Sequence, residues 1–169
     1  PEVDTALIKT FETALAHRSW VNEHGSDALR ETGNERLEFL GDAVLGAAIA
    51  AWLHERLPAA DEGELSRAKA HLVSAPVLAG LARELDVGPR LRLGRGEEAG
   101  GGRDRASLLA DALEALIGAA FVHAGWACAE RLVRGLWRGE LETILAEGGP
   151  GDARSALQSF CHRHGWPAP

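Results

Sequence analysis

The sequence contains no tyrosine, and aromatic residues together make up 5% of it. Strands draw on aromatic and β-branched side chains. Alanine, leucine and glycine dominate here instead, so a close-packed all-α chain is expected. Cysteine is scarce as well. Cys128 and Cys161 stand far apart and outside any CxxC or Cys/His spacing, which argues against a zinc site or a disulfide framework and leaves both as small buried apolar residues. No run approaches the length of a membrane span, and the first residues lack the charged and apolar regions of a leader. A soluble, cytoplasmic chain with no membrane partner is therefore expected. A GxxxxGK[ST] phosphate loop is missing, and no small-molecule cofactor is implied. None of the seven histidines precedes an aspartate, and no Glu-x-x-His pair occurs. These two absences exclude helical His-Asp phosphohydrolases and di-iron carboxylate bundles.

What is present is enough for one medium domain, or one domain and a fragment: 169 residues, 46% of them hydrophobic. The informative stretch is Asn34 to Leu45, NERLEFLGDAVL. Read as a helix at about 100° per residue, it places Glu35, Glu38 and Asp42 within about 60° of one another. Leu37, Leu40, Val44, Ala47 and Ala48 fall on the opposite side, and Phe39, Leu45, Ile49 and Trp52 flank the acidic stripe. Most of this helix must be inside something, and carboxylates held there need cations.

Asp111 and Glu114 repeat the pattern at i and i+3 in a second segment, Ser107 to Phe121, with Leu109, Leu113, Leu116, Ile117 and Ala120 on the other side. If the two stripes face each other, Glu38, Asp42, Asp111 and Glu114 converge. Mutual repulsion would protonate some of them unless hard divalent ions are bound, and an all-oxygen site favours Mg2+ or Mn2+ over zinc. The alternative is a pair of acidic faces in water.

At these residues the chain resembles ribonuclease III. NERLEFLGDA is similar to that family's signature and ADALEALIGA to its second acidic helix. His17-Arg18-Ser19, Glu62 to Ser66, Leu72-Val73-Ser74 and Leu93 to Glu97 also match in order, over roughly residues 5 to 147. The resemblance implies an all-α endonuclease domain that hydrolyses double-stranded RNA by two metal ions, Mg2+ with Mn2+ possible, leaving 5′-phosphate and 3′-hydroxyl ends in rRNA and mRNA processing and decay. Glu38, Asp42, Asp111 and Glu114 would be the metal ligands, and Asp42 and Glu114 would be catalytic. Glu35 and Glu62 match supporting acidic positions, although Glu62 could equally be a plain helix-start carboxylate. The family cuts as a homodimer, and Phe39 matches an aromatic that it inserts into its partner. The rival from another class is a non-catalytic RNA-binding module of the same fold, which would be expected to have lost its carboxylates.

A net charge of −7 argues against a general polyanion binder. Bound cations would offset part of it, and Arg90, Arg92, Arg95, Arg103 and Arg105 form a basic cluster that either meets RNA or solvates a loop. Arg67, Lys69, Arg95 and Arg105 are the candidate RNA contacts. His17 reads as a hydrogen-bonded structural histidine closing a first helix that starts near Asp4. Residues 21–33 read as a loop, with Thr32 or Asn34 capping the signature helix, which runs to about Arg56 before Pro58. Asp61 and Ser74 open two scaffold helices. The glycines of residues 90–102 bracket a mobile part, and Ser107 caps the second acidic helix, which ends near Gly125. Trp126 to Glu147 forms a last helix. The domain thus spans 1–147. A linker at 148–151 leads to 152–169, which resemble the first helix of a truncated double-stranded-RNA-binding domain.

Overall fold

The structure, a computed structural model, describes residues 5–24 and 33–148. Gly148, the expected first linker residue, ends the last described helix; the rest of the linker, the RNA-binding fragment, Thr32 and Cys161 lie outside the described residues. Nine helices are described: α1 (Thr5–Ala14), α2 (Arg18–His24), α3 (Glu35–Arg56), α4 (Glu62–Leu72), α5 (Ala75–Glu84), α6 (Val87–Arg90), α7 (Arg95–Ala99), α8 (Ala106–Leu136) and α9 (Arg138–Gly148). A 3-10 turn at Gly102–Asp104 precedes α8. No strand occurs among the described residues; a single parallel bridge joins Ala16 to Arg92.

The architecture is built on α3 and α8, which pack along each other at the centre. Two glycines decide how closely. A Cβ on Gly41 would overlap the carbonyl oxygen of Glu114, and one on Gly118 would overlap the carbonyl oxygen of Leu37. The helices therefore touch backbone to backbone at this crossing, which any side chain would pry open. Around it Leu45, Ile49, Leu53, Leu109, Leu113 and Ile117 form the middle of the core, with Leu72 and Leu78 from α4 and α5 packed on them. On the other side of α8, Ala14 of α1 meets Ala115 and Ala119. Trp137 is fully buried and donates from Nε1 to the Leu72 carbonyl at 2.7 Å, fastening the end of α8 to the end of α4.

Both α3 and α8 are long and apolar enough to cross a membrane by length and composition, which corrects the expectation that no run approaches that length. Their packing against each other accounts for the hydropathy. On α3 the buried side is Gly41, Val44, Leu45, Ala48, Ile49, Trp52 and Leu53. Ala47, expected there, is exposed.

Helix ends were partly foreseen. Leu57 follows α3, and α4 opens with a capping box in which Asp61 accepts from the Glu64 amide at 2.8 Å and Glu64 accepts from the Asp61 amide at 2.9 Å. His17 to Trp20 do not close α1, which ends at Ala14; Arg18 starts α2. Asn34 precedes α3 in a helical conformation and makes no side-chain cap bond. Arg105, not Ser107, occupies the N-cap of α8; the helical backbone is interrupted at Gly125 (φ +71°, ψ −175°), where the second acidic helix was expected to end, and the helical stretch beyond it breaks at Trp137 instead of running on to Glu147. Cys128 is free and half-buried rather than buried.

The expected mobile part is folded. Arg103 donates from Nη1 to the carbonyls of Gly88, Pro89 and Leu91 at 3.0, 3.1 and 2.8 Å, and from Nε and Nη2 to Glu98 at 2.6 and 2.7 Å. One guanidinium thus ties α6, α7 and the strand-like link between them. Ser19 and Glu23 of α2 complete the fastening, accepting from the amides of Gly94 and Arg95, each at 2.9 Å.

Candidate metal centre

The backbone contact at Gly41 and Gly118 brings the side chains one turn away into register. Glu38 on α3 and Asp111 and Glu114 on α8 each offer a carboxylate oxygen, all within 4.8 Å of one another. All three are half-buried. Asp42 lies outside this tight group and is exposed, yet its charge is among those acting on both Glu38 and Glu114.

The electrostatics are those of an unneutralised anionic cluster. Burial first, then the charges of Asp42, Glu38 and Asp111, push the Glu114 carboxyl up from the usual range to about 7. Burial also raises Glu38, reinforced by Asp111, Glu35 and Asp42. Asp111 is raised by burial, and His17 acts in the opposite direction. The His17 ring is held at Nδ1 by the Ser19 amide (3.2 Å) and hydroxyl (2.8 Å). Among the described residues, none of the four carboxylates is used by an arginine or lysine in an ion pair. The donor set is oxygen alone and lacks its own counter-ions. It therefore fits a hard divalent cation and does not fit zinc, whose sites draw on Cys and His.

Residues 8–138 match the Ribonuclease-III-like family. The chain belongs to the ribonuclease III family. It is 44% identical over 158 residues to "Ribonuclease 3" of Oleidesulfovibrio alaskensis, covering 94% of this chain and 68% of that one. It is 46% identical over 151 residues to "Ribonuclease 3" of Nitratidesulfovibrio vulgaris, covering 89% and 58%. Among solved structures, a nuclease domain of ribonuclease III from Campylobacter jejuni superposes with a TM-score of 0.73 at 33% identity, covering 83% of this chain and 92% of that domain. The chain thus spans between 58% and 68% of those two curated relatives, while its described residues form the nuclease domain of the ribonuclease III family.

On this ribonuclease III domain the remaining predicted residues scatter. Glu35 continues the acidic stripe and pairs with Arg18 at 3.2 Å, both side chains exposed. Glu62 sits at the start of α4 and accepts from the Ser66 hydroxyl at 2.7 Å, bonding that suits a helix start. Phe39 is 81% exposed, the most exposed large apolar side chain described. Of the five clustered arginines, four are tied within the fold. Arg90 bonds the carbonyls of Leu85 and Asp86; Arg92 pairs with Glu12 at 3.2 Å and lies over the Trp20 ring. Arg103 is tied as described above, and Arg105 pairs with Glu97 at 2.7 Å. The cluster is therefore mostly a fastening rather than a free basic patch, and Arg105 would have to leave Glu97 to meet RNA. Arg95 is exposed and its side chain is in no ion pair among the described residues. Arg67 and Lys69 are half-buried on α4, with Arg67 Nε buried and without a hydrogen-bond partner.

Sequence reasoning missed Gly41 and Gly118, which set the spacing on which the carboxylates depend. A signal existed: each glycine sits mid-helix, where it costs about 1 kcal/mol relative to alanine, and a glycine kept there calls for a packing reason.

Proposed function

We propose that the chain is a divalent-metal-dependent endoribonuclease acting on double-stranded RNA. The observation that carries the proposal is the cluster of carboxylates from two helices within one small volume, without any counter-ion from the described residues. Glu38, Asp42, Asp111 and Glu114 would hold Mg2+, or Mn2+ in its place, with Asp42 and Glu114 in the catalytic role. The chemistry that two such ions supply is activation of a water for in-line attack and stabilisation of the leaving 3′ oxygen. Water adds to phosphorus as the bond to the 3′ oxygen breaks, so the products carry 5′ phosphate and 3′ hydroxyl.

The chain's own part is to hold four carboxylates ready against their mutual repulsion. Glu114, with its carboxyl near 7, must release a proton before it can ligate. Glu35 and Glu62 would act from the margin, Glu35 through its charge on Glu38. Substrate recognition rests on A-form shape, phosphates and 2′-hydroxyls, with Arg95 as a free cation for it and Arg67 and Arg105 as further candidates. Cutting both strands needs two sites. A homodimer supplies them, and Phe39, too exposed to serve a monomer, is the contact it would bury. The Campylobacter jejuni structure is described as having a region involved in dimer formation, in keeping with this. Processing and decay of rRNA and mRNA are the roles such an activity would serve.

Incubation of the purified chain with long duplex RNA tests the activity directly. Cleavage with Mg2+ and none with EDTA is expected. Equal cutting in both, or no cutting at low salt with protein in excess, contradicts the proposal.

A further inference from the structure

The acidic stripe of α3 does not end at Asp42. At about 100° per residue, Glu35, Glu38, Asp42 and position 46 share one face, and position 46 is a glycine. The end of a side chain from the neighbouring helix lies over that position. Lys69 of α4 lays the end of its side chain across Gly46, with Cε and Nζ each 3.5 Å from where a Cβ would stand. The row thus runs carboxylate, carboxylate, carboxylate, ammonium. Four residues of helix separate the last two, a rise of about 6 Å along the axis.

Lys69 shares this row with the acids but stands apart from them. Lys69 is in no ion pair among the described residues, and it is not among the charges acting on Glu38, Asp111 or Glu114. The residue is half-buried and its side chain crosses α3 at Gly46, so the ammonium stands on this face without an ion-pair partner among the described residues. A polyanionic strand lying on the carboxylate site with its cations bound would pass over this ammonium next, one short step along the same face.

We infer that Lys69, whose side chain crosses α3 at Gly46, holds the backbone phosphate adjacent to the one being cut. The inference rests on the proposed ribonuclease activity and adds a phosphate subsite to it. Lys69 touches substrate but not the reacting atoms, so its loss acts on binding rather than on the chemical step.

The test is steady-state cleavage of a long duplex RNA with Mg2+ between about 50 and 200 mM KCl, comparing the wild-type chain with Lys69→Gln and Lys69→Arg. Thermal melts and Mn2+ titrations are run on each protein. Lys69→Gln should raise KM by roughly fivefold with kcat little changed. It should also flatten the dependence of log(kcat/KM) on log[salt] by about one. Lys69→Arg should recover most of both, and Mn2+ affinity and melting temperature should stay at the wild-type values. An unchanged KM and salt slope in Lys69→Gln, with the wild type active, overturns this inference alone. Weakened Mn2+ binding in Lys69→Gln also overturns it, because Lys69 would then be serving the carboxylates. A wild-type chain that cuts no duplex overturns the activity itself.

Discussion

Glu114 carries most of the strain of the site. Its carboxyl is raised to about 7, against 4.5 for the free group, chiefly by burial and then by Asp42, Glu38 and Asp111. A folded-state value above the unfolded one means that the folded chain binds the extra proton, so metal-free stability falls as pH rises from about 4.5 to about 7. Glu38 and Asp111 are raised too and add to the same trend. Melting temperatures of the EDTA-treated chain across that window should therefore decline, and Glu114→Gln should flatten the decline. A rise with pH would mean that the carboxylates are already compensated. The same variant should abolish cleavage while leaving the circular dichroism spectrum unchanged, since a neutral amide replaces a proposed metal ligand. At this scale the acids were legible because i, i+3 and i+4 spacing states which side chains share a face. The Arg103 fork and the seating of Lys69 over Gly46 were not, because both join segments distant in sequence.

Among the elements, α3 and α8 matter most, and their crossing rests on Gly41 and Gly118. Gly118→Ala would drive a methyl group into the Leu37 carbonyl, so the helices must separate. Overpacking of that kind costs typically about 1–3 kcal/mol. The expected result is a lower melting temperature and weaker divalent binding together, measured by thermal melt and Mn2+ titration. Unchanged affinity would show that the carboxylates tolerate a wider spacing. The capping box of α4 gives a simpler case: Asp61→Ala should cost about 1 kcal/mol in chemical denaturation with little effect on metal binding. The end of α3 before Pro58 and the start of α4 at Asp61 were readable because proline and capping residues act locally. The folding of residues 95–104 was not, since its glycines permit turns but the ties come from Arg103, Arg105, Ser19 and Glu23. The exposed Ala47 has a similar origin, as periodicity gives the angle of a face but not the width of its neighbour.

For the whole molecule, a net charge of −7 and the proposed anionic substrate would be reconciled by cations bound at the proposed site and by basic side chains such as Arg95 that are in no ion pair among the described residues. Phe39, 81% exposed on the same helix as Glu38 and Asp42, would tie the proposed assembly to the proposed activity. Sedimentation at micromolar concentration should give about twice the mass of one chain, and Phe39→Ala should shift the population toward monomer. A wild-type monomer would remove Phe39 from that role. The most direct test of the central claim is a calorimetric titration of Mn2+ into the chain at a pH above the Glu114 value of about 7, beside Glu114→Gln. Saturable binding to the wild type is expected, weakening as pH falls below that value and reduced by roughly tenfold or more in the variant. Equal binding by both proteins, or binding indifferent to pH, would contradict a divalent site built from the carboxylates of α3 and α8.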